Sequence, residues 1–233
     1  MDTISIAIAG FSAVGAVLLF LVYVFLIDVQ GKSAYSVISC AVLLTALAGI
    51  QVFHLLHFGG GPPPLERFPY RLALFAVPSA FYLFKRWAIQ PAEPFRPILQ
   101  LHLLPILLLF FVRLQIALPI LLLFGVGYSL WLGHFIYGLR AQRRQFRFEF
   151  FYFGVMSVSA VFVLILGLSI PYIDDALFYH FYSWAIGLGF AIVIVALISN
   201  PDLIGDLSEA ARVRVWDLDP ARGRCGCLPE EAS

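Results

Sequence analysis

Arg140-Ala-Gln-Arg143-Arg144-Gln-Phe-Arg147 decides how this chain is read. These eight positions hold four of its fifteen Lys and Arg residues, and long apolar runs flank them on both sides. On a soluble protein such a run is a solvated helix face. Between two membrane-spanning helices it is an orientation signal, because basic loops stay on the cytoplasmic side. Fixing this loop inside fixes the side of every other loop.

The totals agree with a membrane setting. Of 233 residues, 61% are hydrophobic and 12% charged, against about 25% charged in an ordinary globular domain. The charge is missing from the long runs and concentrated between them, as expected of an integral membrane protein. Net charge is +1, so overall balance does not point to nucleic acid. Three cysteines, Cys40, Cys225 and Cys227, are too few for a disulfide framework. The first apolar run starts at Ile4 without a basic leader and is too long for a signal-peptide core, so it reads as a retained span.

Working outward from the basic loop gives seven helices. Helix 1 is expected at about Ile4 to Ile27 and helix 2 at Tyr35 to Phe58. Gly59-Gly-Gly-Pro62-Pro-Pro64 follows as a loop. Helix 3 runs from Pro69 to Trp87, with a kink expected at Pro78. From Ile98 to Leu139 there are 42 residues with one charge, Arg113. A single helix of that length would reach about 63 Å, roughly twice the hydrocarbon thickness. It therefore divides at Arg113-Leu-Gln115 into helix 4 (Ile98 to Val112) and helix 5 (Ile116 to Leu139). That leaves the arginine at a surface instead of mid-membrane, where it would cost about 3 kcal/mol. Helix 6 is expected at Phe150 to Ile170 and helix 7 at Leu177 to Ile198, stopped by Asn200-Pro201. With Arg140, Arg143, Arg144 and Arg147 inside, so are Lys32, Lys85, Arg86, Arg96, Arg212, Arg214, Arg222 and Arg224. Arg67, Arg71 and Arg113 fall outside. Twelve against three supports an all-α polytopic membrane protein of seven spans, N-terminus outside and C-terminus cytoplasmic.

The domains follow from these spans. Residues 1–199 form the transmembrane part, 200–214 begin a cytoplasmic linker, and 215–233 form a polar tail without helical period.

His54 and His57 are three residues apart and share a face of helix 2. His180 lies near the same end of helix 7, beside Asp174 and Asp175. Three imidazoles and two carboxylates at one end of a bundle make a candidate zinc or copper site, or a pH sensor. The competing reading is interfacial histidines among aromatics such as Phe178, Tyr179, Tyr182 and Trp184. Pro78, Ser79, Asp174 and Asp175 are assigned to an outer cavity between helices 2, 3 and 7 that would take an unknown small-molecule signal. His102 and His134, nearer the inner ends of helices 4 and 5, read as hydrogen-bonded side chains.

No carboxylate lies within a span, which weighs against proton pumps and ion-coupled carriers. Helix 7 has no lysine for a retinal Schiff base. No buried Ser/His/Asp or Cys/His set stands out, and neither GxSxG nor HExxH occurs. No enzyme activity and no cofactor are expected.

Several features coincide in order. A short helix 3 ends in Phe84-Lys85-Arg86, and His102-Leu-Leu-Pro105 opens helix 4. A long helix 5 leads into Leu139-Arg-Ala-Gln-Arg-Arg-Gln-Phe146, and Asn200-Pro-Asp-Leu-Ile-Gly-Asp-Leu-Ser-Glu-Ala-Ala-Arg212 follows helix 7. Together they resemble the seven-helix membrane module of membrane-bound AraC-family transcriptional regulators of bacteria, over about residues 1 to 214. The resemblance implies a multi-pass protein of the bacterial inner membrane, sensing a signal and relaying it to the cytoplasm, with a homodimer as one expected state. Some sensor histidine kinases carry similar modules. The family continues into a linker and a cytoplasmic domain with two helix-turn-helix motifs. Here 35 residues follow Ile198 and no recognition helix can be placed. DNA binding is thus expected of a full-length relative and not of this chain alone. Permitted codons for Val215 to Ser233 can be chosen whose shifted frame reads YGISTLLAGDVDASLKKL, like the family's linker. A frame shift near Arg214 is the expectation. The alternatives are a small seven-helix transporter, for which the missing internal repeat is a difficulty, and a stand-alone partner-binding membrane protein.

Overall fold

The computed structural model describes residues 2–26, 34–89, 101–138, 154, 158–159 and 161–199. The Arg140 to Arg147 loop, the 200–214 linker and the 215–233 tail lie outside the described residues. Among the described residues every regular element is helical. These are α1 (Asp2–Leu21), α2 (Ala34–Phe58), α3 (Phe68–Ile89), α4 (Leu104–Phe111), α5 (Leu114–Gly138), α6 (161–168) and α7 (Asp175–Ser199). A π-helical turn, Val22–Leu26, continues α1.

Four helices are long and apolar enough to cross a membrane: Asp2–Phe25, Ala34–Phe58, Leu114–His134 and Asp175–Val195. The physical reason the other three fall short differs for each. α3 has the length, but Arg71, Lys85 and Arg86 shorten its uncharged stretch to 13 residues, Leu72 to Phe84. The apolar helical stretch Leu101–Phe111 covers only about 16 Å at ~1.5 Å per residue. α6 is described only in part.

The pattern of exposure is inverted relative to a water-soluble bundle. On α1, Phe11, Val14 and Leu18 are 47%, 60% and 55% exposed, while Ser5 and Ser12 are fully buried. An outward apolar stripe with hydroxyls inside suits hydrocarbon surroundings, where polar groups must find partners within the bundle. Ser12 Oγ–H donates to the Ile8 carbonyl at 2.7 Å, and Ser129 Oγ–H to that of Gly125 at 3.0 Å. Both are satisfied on their own helix.

Consecutive helices reverse direction, and α2 is central. It packs on α1 and α3, and touches α7. α7 also lies along α1, while α4 and α5 pack on α3. Ile50, Phe75, Leu121, Leu166 and Phe178 join α2, α3, α5, α6 and α7 in one core. At one end of the bundle, here the turn end, the α2–α3 loop, the α4–α5 reversal and the start of α7 lie together. At the other, Tyr23 bonds Ser36 at 2.6 Å and Tyr35 stacks on Trp87 at 5.0 Å, tying the end of α1 to α2 and α3.

The loop after α2 has a defined cause. Gly60 sits at φ +91°, which an L side chain resists. Its N–H donates to the His57 carbonyl at 2.9 Å, and the Gly61 N–H to the Leu56 carbonyl at 2.9 Å. That pair of bonds is a Schellman cap with Gly60 as the left-handed residue. A Cβ on Gly61 would stand 2.6 Å from the Leu56 carbonyl oxygen. Gly60→Ala is expected to lower stability by about 1 kcal/mol, and Gly61→Ala by more, since a backbone atom cannot rotate away. Unfolding in mixed micelles measures both; equal stability of Gly61→Ala and the wild type would contradict the cap.

The other reversal falls at Arg113, as the single charge there predicts. α4 stops at Phe111, Val112 is extended, and the Ile116 and Ala117 N–H groups both donate to the Arg113 carbonyl at 2.9 Å. α3, by contrast, continues through Pro78. The proline leaves the Leu74 carbonyl without its helical donor. Pro78 faces α5, where a Cβ on Gly125 would lie 4.0 Å from its Cγ.

Candidate functional site

The three histidines of the turn end are all on described helices, but they do not converge. His54 is fully buried in a network drawn from three helices. Gln51 Nε2–H donates to the Ser183 carbonyl at 3.2 Å, and Ser183 Oγ–H donates to Gln51 Oε1 at 3.0 Å. The carbonyl of Ser183 can only accept, so it fixes which end of the Gln51 amide faces it. Gln51 Oε1 then accepts from His54 Nδ1–H at 3.1 Å. A neutral His54 leaves Nε2 to accept from Tyr70 Oη–H at 3.1 Å. Tyr70, Tyr179, Tyr182 and Phe58 surround the imidazole with centroids 5.6–6.2 Å away. Every polar atom named here has its partner within the protein, which is what a dry core requires.

His57 turns to the loop. Its Nδ1–H donates to the Gly61 carbonyl at 3.2 Å, and its ring meets Tyr179 at 4.8 Å. The Tyr179 hydroxyl accepts the Leu65 N–H at 3.2 Å. These contacts hold the α2–α3 loop against α7.

His180 faces the other way, onto α1. Its Nε2 lies 3.2 Å from Asp2 Oδ1 and its Nδ1 2.6 Å from Ser5 Oγ. Trp184 Nε1–H donates to the same Ser5 oxygen at 2.8 Å. A neutral imidazole protonated at Nε2 satisfies all three bonds, with Ser5 Oγ–H donating to Nδ1. Phe58 stacks on the ring at 4.7 Å and 4°. The sequence reading found no Ser/His/Asp set, and the fold assembles one from residues 175 positions apart. Ser5 is nonetheless fully buried and its oxygen already accepts from tryptophan. A substrate cannot reach it, so the set joins α1 to α7 and does not present a nucleophile.

The metal expectation therefore loses its geometry. His54, His57 and His180 all lie against Phe58, but their ring nitrogens bond different partners, and no group of three or more His, Cys, Asp or Glu suited to a metal ion occurs among the described residues. The expected outer cavity also divides. Asp174 and Asp175 are exposed at the start of α7, where carboxylates favour the helix N-terminus. Pro78 and Ser79 lie ten residues, about 15 Å, along α3 from its first residue. Ser79 is buried, and its hydroxyl has no hydrogen-bond partner among the described residues.

A cavity does exist, against α3, the turn that precedes α4, and α5. It has a volume of about 450 Å³ and is lined by Tyr82, His102, Ile120, Leu123, Phe124, Gly127, Tyr128 and Trp131. Tyr82 is its hub. Its ring lies 3.9 Å from that of His102, 4.8 Å from Tyr128 and 5.2 Å from Trp131. Arg86 Nη1–H donates to the Tyr82 hydroxyl at 3.0 Å, and His102 Nδ1 pairs with the Tyr128 hydroxyl at 3.1 Å. Sequence reasoning left these residues apart because they come from three elements. The signal that could have found the buried network is Gln51, the lone side-chain amide within helix 2, which the sequence reading passed over. His134 is exposed and takes no part in the cavity.

The candidate site is thus an aromatic cavity beside a closed polar network, and no family model, curated protein or solved structure matches the chain that holds them.

Proposed function

We propose that the chain is the sensory membrane module of a bacterial regulator, resembling that of the membrane-bound AraC family. It would cross the inner membrane seven times, with the turn end outside and the C-terminus in the cytoplasm. A small molecule in the bundle would bias the cytoplasmic helix ends, and a DNA-binding output would follow in a full-length relative.

One observation carries this reading. Two of the sequence features behind the resemblance meet at the cavity: Arg86, from the end of α3, bonds Tyr82, and His102, from the turn that precedes α4, packs on the same ring. Residues read from sequence as a loop anchor and a helix opening form one wall of a ligand-sized space. α3 joins that wall to α2 and its buried network, which would give the coupling a mechanical path.

Topology is checked by single cysteines placed at Lys32, Gly59, Lys85, Arg143 and Ala176 in intact cells. The expected result is labelling by a membrane-impermeant reagent at Gly59 and Ala176 only. Labelling at Arg143 from outside would reverse the orientation. The sensory role is checked by fusing residues 1–214 to a helix-turn-helix output and reading a transcriptional reporter across added lipid-soluble compounds. A flat reporter combined with solute uptake in vesicles would replace the sensor with a transporter.

A further inference from the structure

We infer that Arg67 and Arg71, at the turn end of the bundle, form a binding site for the headgroup phosphate of an anionic phospholipid. The group recognised is a phosphate oxyanion presented at the membrane surface. The site requires that the bundle sit in a bilayer and does not depend on the sensory reading.

The two charges have no partner in the fold. Arg67 stands immediately before α3 and Arg71 in its first turn, and the Arg71 N–H donates to the Arg67 carbonyl at 3.2 Å. Like charges four residues apart repel, and a helix N-terminus adds partial positive charge beside both. Neither guanidinium has an ion pair or a hydrogen bond among the described residues, and Arg71 Nε is wholly buried without an acceptor. Four carboxylates share this end, and all are turned elsewhere. Asp2 pairs with His180. Glu66 and Asp175 lie near the Tyr179 hydroxyl, and Glu66 makes no ion pair with Arg67 although it precedes it in the chain. Asp174 is exposed at the start of α7. A partly buried charge at a membrane surface needs a compensating group, and the fold withholds its own.

The surroundings select a lipid. At a bilayer surface the anions at hand are headgroup phosphates. The Arg67 guanidinium lies over the Phe53 ring, 5.7 Å from its centroid. Stacking holds the planar group and leaves its N–H edge free for two oxygens of one phosphate. The adjoining surface is apolar. Val52 and Leu56 flank Phe53 on α2, and Phe68 and Leu72 flank Arg71 on α3; all four are 38–50% exposed. α2 is long and apolar enough to cross a membrane, so acyl chains have hydrocarbon-facing helix to lie along beside the arginines.

Charge selects the headgroup. Two unmatched guanidiniums favour a lipid of net negative charge, whereas a choline or ethanolamine headgroup brings a cation of its own. Arg113, the third arginine of this end, is exposed at the α4–α5 reversal. It is a solvated charge and supplies the control for general surface attraction.

The test is native mass spectrometry of the full chain in non-ionic detergent, titrated with dioleoylphosphatidylglycerol or with dioleoylphosphatidylcholine, which has the same acyl chains. Phosphatidylglycerol should bind about fivefold more tightly or better, the scale of one basic residue near a charged lipid. Arg67→Gln/Arg71→Gln should weaken its binding about tenfold or more, the scale of one charge-assisted hydrogen bond. Arg113→Gln should leave it within about twofold. Thermal unfolding checks that the fold survives. Without lipid the double variant loses no bond and should melt no lower than the wild type, while added phosphatidylglycerol should raise the melting temperature of the wild type alone. A lower melting temperature without lipid would mean that the guanidiniums bond within the fold, and would overturn the site. So would undiminished binding by the double variant, or an equal loss in Arg113→Gln. Equal affinity for the two lipids would overturn the anionic class. Displacement of the lipid by inorganic phosphate at comparable concentration would make a soluble ion the ligand and overturn the lipid.

Discussion

Gln51→Leu is expected to cost the bundle about 3 kcal/mol or more. The substitution is apolar and near in size, so packing is largely kept. What it removes is the partner of the Ser183 hydroxyl and of His54 Nδ1–H, together with the second donor to the Ser183 carbonyl, which keeps its helical bond within α7. Each buried group left unpaired costs about 1–3 kcal/mol. Single interhelical bonds in membrane bundles average nearer 0.6 kcal/mol, because unfolded helices find other partners in the bilayer. Here Gln51 and His54 are fully buried, and one amide serves all three groups, so the larger figure applies. Reversible unfolding in mixed micelles measures it. Gln51→Glu is informative beside it, since a carboxylate oxygen would face the Ser183 carbonyl oxygen and repel it. If both variants unfold like the wild type, the network is not holding α2 to α7.

The second large effect is expected at Gly187. A Cβ there would lie 2.3 Å from Ile8 Cγ2 and 3.2 Å from Ser12 Oγ. Cγ2 hangs directly from Ile8 Cβ, so it is not the far end of a flexible chain, and α1 must move away. Overpacking of this kind costs about 1–3 kcal/mol. Displacing α1 would also strain the Ser5 bonds to His180 and Trp184. The prediction carries its own control. Ile8→Ala removes the opposing methyl, so Gly187→Ala should cost little in that background, and the double-mutant cycle should show coupling of roughly the size of the clash. Additive losses would mean that Gly187 acts through helix propensity alone.

Helix limits were largely legible in the sequence, because apolar runs bounded by charge leave little freedom. Helix 2, expected from Tyr35 to Phe58, is Ala34–Phe58, and helix 7, expected from Leu177 to Ile198, is Asp175–Ser199. Arg113 marked the α4–α5 reversal. Facing was not legible. Tyr179 and His180 are neighbours in sequence, yet about 100° apart around α7. One meets His57 and the other meets Ser5. Spacing alone put His54, His57 and His180 at the same end of the bundle, which they share. It could not say that α7 is rotated to divide them. The cavity was hidden for the same reason. Tyr82, His102, Tyr128 and Trp131 are ordinary aromatics in their own helices and gain meaning only where α3, α4 and α5 meet.

The bond from Ser5 to His180 also sets an order in time. At about 5–20 residues per second, the 175 residues that separate them take on the order of ten to thirty seconds to synthesise. Through that interval Ser5 lacks both His180 and Trp184, and Asp2 lacks its imidazole. The nascent chain therefore carries a timer. Until α7 emerges, the first helix can pack on α2 but lacks its polar partners.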